Sequence, residues 1–286
     1  MNRRSPAWRR AAHAVLLCTI AAGAARADAQ QRIHRGLPAS PTVSMRLYVP
    51  AGHVRIAVWS RDSIDIAGTI ADSTSMFGGG DREHSKFGVG PIRTDDTRLP
   101  SADWVVTVPR KARVWVKMTS GTIESDGTEG ELELYDVGGS ITVRRATGVT
   151  SVEAIDAAVS IIGSGGDIRV RGGKALLVLQ DVSGTASVTS ISGRVELRGA
   201  SAPEGRIETI GGDIAIDVPR LRGATLELQT HSGGIAIAVD RSALPELELA
   251  SRTGAVTNAA PRGTRAQGRV VARSFRGAIS VRVTKR

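Results

Sequence analysis

Four stretches carry side chains whose types and spacing could do chemistry. Gly163-Ser164-Gly165-Gly166-Asp167 has the glycine density of a phosphate or calcium loop. It lacks the Gly-Lys-Ser/Thr ending of a phosphate loop, and its aspartate does not recur every nine residues, so it reads as a turn with a capping carboxylate. His231-Ser232 sets a base beside a nucleophile, but neighbours on a strand point to opposite faces. His34, His53, His84 and His231 are never three or four residues apart, which removes the usual metal-ligand spacing. Glu131 and Glu133, with Glu124 and Glu196 at matching repeat positions, could supply the paired carboxylates of a polysaccharide hydrolase or lyase. Sugar subsites usually add aromatic platforms, and after Tyr135 the only aromatic residue is Phe275. No catalytic residue, cofactor or metal is assigned.

The fourth stretch is the tail. From Leu249 to Arg286 there is no acid, and nine residues are basic. Arg262, Arg265, Arg269, Arg273, Arg276 and Arg282 form a candidate contact for an anionic surface. The bland alternative is a soluble polar cap on the end of a repeat stack.

These residues are positioned by a repeat. Gly121, Gly130, Gly139, Gly148, Ala157, Gly166, Ala175, Gly184 and Gly193 recur every nine residues. Two places after each, the residue is apolar in every unit except at Thr150; four places after, in every unit except at Ser125. Positions one and three are mostly polar. Each unit is therefore a short strand with one apolar face, entered at a glycine corner. Two units give an 18-residue coil with two walls and three give a 27-residue coil with three. Stacked hairpins in a sandwich are a third solution. Outward Ala158, Leu176 and Val178 make an apolar patch, expected to be where residues 43–118 pack, with a docking surface as the alternative.

Ahead of the repeat, period-two alternation predicts strands at 43–49, 53–59, 63–68, 103–109 and 113–118. Residues 30–42 read as a lead-in. Residues 71–102, with Gly78-Gly79-Gly80 and Gly88-Val89-Gly90-Pro91, read as a mobile loop.

Residues 1–29 have the form of a signal peptide: Arg3, Arg4, Arg9 and Arg10, then an apolar run from Ala11 to Ala25, then Ala27-Asp28-Ala29. Cleavage near Ala29 delivers the chain to the periplasm or cell surface. Cys18, the only cysteine, lies inside the apolar run, so the mature chain has no disulfide or thiol chemistry. Without residues 1–29 the charge is 33 basic against 27 acidic, a net of +6. A modestly basic exported protein meets anionic envelope material. There is no basic helix and no recognisable stacking platform for nucleic acid.

Val106-Thr107-Val108-Pro109, the Ser120-Gly121-Thr122-Ile123-Glu124 that opens the repeats, and the Gly-Gly-Asp-Ile and Ser-Gly-Arg-Val units at 165–168, 192–195 and 211–214 resemble the bacterial putative adhesin family. These are exported β-domains of unknown function, similar to the adhesin head domain named for its Gly-Ile-Asn motif. The resemblance covers residues 43–284. It implies a β-solenoid with no established catalytic residues and contact with a surface or partner.

The reading is therefore an all-β β-solenoid of stacked short strands, preceded by a small β region, with no helix after the signal peptide. Its segments are a signal peptide (1–29), an N-terminal β region (30–118) and a repeat solenoid (119–286), with 30–286 as one continuous domain as the alternative. The expected function is a non-enzymatic, adhesin-like interaction module at the cell envelope. Its partner is an envelope polysaccharide, a lipid headgroup or a protein, with self-association as a further option. The alternatives are a polysaccharide-active β-helix enzyme and a self-assembling envelope scaffold.

Overall fold

The computed structural model describes residues 30–199, 204–217, 221, 223–241, 244–261, 266 and 268–284, and the described residues contain strands and no helix. The N-terminal strands are β1 (Gln30–Pro38), β2 (Ser44–Tyr48), β3 (Ala51–Trp59), β4 (Ser63–Ala71), β5 (Thr74–Gly80), β6 (His84–Pro91) and β7 (Ser101–Pro109). Three long strands follow, β8 (Arg113–Asp126), β9 (Glu131–Arg144) and β10 (Val149–Ile162). Then come β11 (Asp167–Gly172), β12 (Leu177–Gln180), β13 (Thr185–Ser190), β14 (Val195–Arg198), β15 (Glu204–Thr209), β16 (Ile214–Asp217), β17 (Thr225–Thr230) and β18 (Ile235–Asp240). The last four are β19 (Glu246–Ser251), β20 (Val256–Asn258), β21 (Arg269–Ser274) and β22 (Ile279–Thr284). Pairing links all of them into one 22-stranded sheet.

The pairing is parallel with a step of 18: Arg113 lies opposite Glu131, and Glu131 opposite Val149. Two nine-residue units thus make one tier. The first contributes wall A, as in 131–136, and the second wall B, as in 139–144. In β8 to β10 one strand runs through both walls. From Asp167 onward each tier is split into two strands. Later insertions stretch the step: Val195 pairs with Ile214, and Ile214 with Ile235.

The repeat positions explain the stacking. Leu132 and Leu134 of wall A, and Ile141 and Val143 of wall B, are all at most 2% exposed and belong to one core. Each buried side chain of this size contributes roughly 1.5–3 kcal/mol, which a lone four-residue strand cannot collect. The two exceptions are also inward and buried. Ser125 hydrogen-bonds Thr128 at 2.9 Å, whereas the Thr150 hydroxyl has no partner.

Both ends of the stack depart from chain order. β2 and β3 lie between β8 on one side and β6 and β7 on the other, all parallel. β4 then adds antiparallel to β7, β1 to β4, and β5 to β6. At the other end β21 is inserted between β17 and β19, and β22 between β18 and β20. The final strands in sequence are interior. The end tier is β19 and β20.

Five expectations are corrected. Residues 71–102 are not a loop, because β5 and β6 form an antiparallel hairpin there and β7 begins at Ser101. Its glycines make room for close pairing: a Cβ on Gly78 would sit 2.1 Å from the Lys86 carbonyl oxygen. Residues 30–38 are a strand rather than a lead-in, because they pair along the edge of β4. The N-terminal tiers extend the stack instead of covering wall B, so Leu176 stays 42% exposed. The basic tail is not a simple end cap: its residues 249–258 lie in the end tier, but 269–284 is sandwiched one tier inside. The 118/119 boundary falls inside β8, which runs through it unbroken.

The tightest point of each tier is the corner. A Cβ on Gly139 would lie 2.0 Å from the Gly121 carbonyl oxygen, and Gly139 has φ near 132°. Gly139→Ala is expected to cost on the order of 3 kcal/mol, read as a lowered urea midpoint. Gly79→Ala, where nothing lies within 4 Å of the added methyl, should stay within about 0.5 kcal/mol. Equal midpoints for the two would contradict the close-approach account.

Candidate functional site

The corner from wall A to wall B is built on a hydroxyl three residues before a glycine. Ser190 Oγ donates to the Gly193 carbonyl at 3.0 Å, and Thr209 Oγ1 to the Gly212 carbonyl at 2.5 Å. Thr230, Ser274 and Ser251 use the same spacing to accept the amide N–H of Gly233, Gly277 and Gly254 at 3.0, 2.8 and 3.0 Å. Such bonds satisfy backbone groups that the turn leaves unpaired, at about 1 kcal/mol each. The two residues between hydroxyl and glycine are pushed outward.

Stacking lines up these outward residues. The registers place Ile191, Ile210, His231, Phe275 and Arg252 in one column, with each amide bonded back to the tier before, as in His231 N–H to the Thr209 carbonyl and Phe275 N–H to the Thr230 carbonyl. Ile191 and Ile210 are 59% and 60% exposed. The His231 and Phe275 rings stack at 4.8 Å with planes 7° apart. The Arg252 guanidinium carbon lies 5.1 Å from the Phe275 centroid and that of Arg276 lies 5.9 Å away. Beside this column is a groove of about 510 Å³, lined by Glu208, Ile210, Gln229, His231, Arg273 and Phe275. The ridge offers apolar, aromatic and cationic groups in succession, and the groove adds amide and carboxylate groups. That is a recognition surface for an extended polar chain with negative charge.

The structure disperses the basic residues of the tail. Arg262 and Arg265 lie outside the described residues. Arg269 and Arg273 are on the outer face of wall A, and both donate to Glu248 at 2.6 Å. Those two bonds, Arg269 first, hold the Glu248 carboxyl below its ordinary range, and Glu248 in turn raises Arg269. Arg276 is at the corner. Arg282 is exposed on wall B, where it pairs in register with Ala238.

The other candidates fall apart in space. Glu131 and Glu133 share the outer face of β9 beside a shallow groove of about 180 Å³ with Arg46, Arg113 and Trp115. Glu196 is 8% exposed and clamped by Arg194 at 2.7 Å and by Arg198. Glu124 lies four tiers away from it. Ser164 is a buried corner residue whose hydroxyl donates to the Ile162 carbonyl and accepts the Ala146 N–H. His231 turns its ring to Phe275 while Ser232 Oγ donates to the Ile210 carbonyl. Among the described residues no three His, Cys, Asp or Glu side chains converge as metal ligands. Among the described residues no helix is long and apolar enough to cross a membrane.

The sequence reading missed the corner column. Its signal was present: Ser190-Ile191-Ser192-Gly193, Thr209-Ile210-Gly211-Gly212, Thr230-His231-Ser232-Gly233, Ser251-Arg252-Thr253-Gly254 and Ser274-Phe275-Arg276-Gly277 share one pattern. The meeting of His231 with Phe275 had no such signal, because it depends on the inserted final tier.

No family model and no curated protein matches the chain. Among solved structures it is similar to a putative cell adhesion protein from Clostridium sporogenes, at 8% identity over 89% of this chain and 100% of that one, with a TM-score of 0.29. A putative adhesin from Bacteroides fragilis matches at 11% identity over 90% and 99%, TM-score 0.41. A putative lipid binding protein from Parabacteroides distasonis matches at 14% identity over 88% and 96%, TM-score 0.40. Superpositions this loose carry no argument about function, which rests on the chain's own residues.

In the N-terminal tiers the hydroxyl of the corner is replaced by Asp136, three residues before Gly139. It has no exposed surface, and neither oxygen has a partner at full hydrogen-bond geometry. Burial pushes its carboxyl up from 3.8 to about 6, opposed in part by the Gly138 and Val137 amides. The folded protein then holds this proton more tightly than the unfolded chain does. The Asp136 contribution to stability falls as pH rises from about 4 to about 6 and stays lowered above. Asp136→Asn is expected to flatten that window and to stabilise the protein at pH 7 by roughly 1–3 kcal/mol. Thermal melts of both proteins at pH 4, 5, 6 and 7 check the sign.

Proposed function

We propose that the mature chain is an exported, two-walled β-solenoid that works as a non-enzymatic, adhesin-like interaction module at the cell envelope, and that it grips anionic envelope material at its corner column. The reading takes cleavage near Ala29 and delivery to the periplasm or cell surface from the signal-like residues 1–29. The observation that carries it is the His231–Phe275 stack flanked by Arg252 and Arg276 beside an open groove. A half-exposed ring with guanidinium groups against it keeps the cations ordered and ready for carboxylate or phosphate oxygens. Arg273 lines the same groove, whereas Arg282 points from the opposite wall.

The double variant Arg273→Ala/Arg276→Ala is expected to weaken binding to purified envelope polysaccharide or anionic vesicles by tenfold or more at low salt. The loss should shrink as salt rises, because screening already removes that contribution in the parent. Arg282→Ala serves as the comparison and should bind like the parent. Equal affinity for parent and double variant would remove the corner from the proposal.

A second reading has support at the end tier. Among the described residues β19 and β20 have a neighbour on one side only, Leu247 and Leu249 are half-buried, and Val256 is 43% exposed. An open parallel edge with apolar side chains is a template for another copy. This scaffold reading expects light-scattering mass to grow with concentration and Val256→Lys to hold the chain monomeric. A monomer at high concentration in the parent would end it.

A further inference from the structure

The chain has few aromatic residues, four Trp, two Tyr and three Phe, yet a cluster of them meets on the outer face of wall A near the N-terminal end. Registers across β6, β2, β8 and β9 set Gly88, Tyr48, Lys117 and Tyr135 in one row. The adjacent row reads Lys86, Arg46, Trp115 and Glu133. Phe77 of β5 extends the first row opposite Gly88. A Cβ on Gly88 would meet the tip of the Phe77 ring at 2.5 Å and the Tyr48 Cβ at 2.9 Å, so the glycine is the notch that lets Phe77 lean over the face. Tyr48 and Trp115 touch at 4.9 Å between centroids, tilted by 56°. The Lys86 ammonium lies 5.0 Å from the Tyr48 ring and that of Lys117 lies 5.1 Å from the Tyr135 ring.

Rings and cations are therefore interleaved across the two rows, with Glu133 at the β9 end. Tyr48, Trp115 and Tyr135 are half-buried and Phe77 is 45% exposed. Lys86, Arg46, Arg113 and Lys117 are all exposed except for contacts with the rings, and none is held by a carboxylate among the described residues. Farther along the same row the outward residues are Glu153, Arg171 and Thr189, the ordinary make-up of a solvated wall. Wall stability does not require rings at outward positions, because the inward residues supply the core.

We infer that this face is a binding platform for a linear anionic polysaccharide lying along the stack axis. Ring faces pack against the C–H faces of pyranose units, and the interleaved ammonium and guanidinium groups meet carboxylate, sulfate or phosphate substituents. Five strands at about 4.8 Å spacing give a track of roughly 19 Å. A lipid surface suits the face less well. The rings carry ammonium groups against them, Lys86 on Tyr48 and Lys117 on Tyr135, and insertion into a bilayer needs an uninterrupted apolar face. The choice of a glycan rests on the exported, envelope-contacting reading above, but the residues are separate from the corner column, so the two can fail independently.

The test uses the full mature chain and three probes: polygalacturonate, neutral dextran, and phosphatidylglycerol vesicles. The parent is expected to bind polygalacturonate and not dextran. Trp115→Ala/Tyr135→Ala and Lys86→Gln/Lys117→Gln should each lose tenfold or more. Trp115→Tyr/Tyr135→Phe should keep most of the affinity, and its retention separates loss of ring faces from loss of fold. Arg282→Ala should leave polygalacturonate binding in place; if Arg273→Ala/Arg276→Ala abolishes binding while the platform variants do not, the platform is wrong and the corner proposal stands. Absence of polygalacturonate binding in the parent, equal binding of dextran, or binding to vesicles alone would each overturn the inference.

Discussion

The structure depends on how closely one tier can approach the next at a corner. Parallel strands in register must keep their hydrogen-bond spacing through the bend as well as along the walls. At Gly121 and Gly139 that leaves 2.0 Å between a carbonyl oxygen and the place where a Cβ would be. An added side chain would clash at these two positions, while in later tiers Ala157 and Ala175 show that the corner admits nothing larger than a methyl group. Once the corner is set, the residues two and four places on must face inward, and the burial of each wall follows from the alternation of side chains along a strand.

Because the corner and the inward pair carry the fold, the outward residues are free to differ from tier to tier. This freedom is where recognition can reside. The same wall presents rings and lysines at one end and ordinary charged and hydroxyl residues in the middle. At the other end the ridge passes from Ile210 to His231, Phe275 and Arg252. The buried polar residues belong to the corner too. Ser190, Thr209, Thr230 and Ser274 bond to backbone at the turn, while Asp136 occupies the same column with a carboxyl that burial keeps hard to ionise.

The ends obey a different constraint. A stack cannot stop without leaving an unpaired edge. At the N-terminal end the chain lays β6 and β7 outside β2 and β3 and then adds antiparallel strands. At the other end it lays down β19 and β20 first and threads β21 and β22 back inside. Both manoeuvres bring together residues far apart in sequence: Tyr48 beside Trp115, and His231 beside Phe275.

The amino-acid sequence by itself determined the unit of this protein. The nine-residue recurrence of glycine or alanine from Gly121 to Gly193, with apolar residues at +2 and +4, is a local code for a corner and a strand, and local geometry is all it needs. The hydroxyl three residues before Gly193, Gly212, Gly233, Gly254 and Gly277 is an equally local signal. Within residues 71–102 glycine does not break the strands, because Gly78 and Gly88 are required by the backbone and ring packed against them. Only the tertiary structure decided that two units make a tier, since hydrogen-bond register between strands 18 residues apart is a long-range choice that no single unit encodes. It alone decided that residues 269–284 of the basic tail are interior and divided between two walls. The aromatic platform likewise had no trace in the linear order, because its rows run across strands and sequence spacing runs along them.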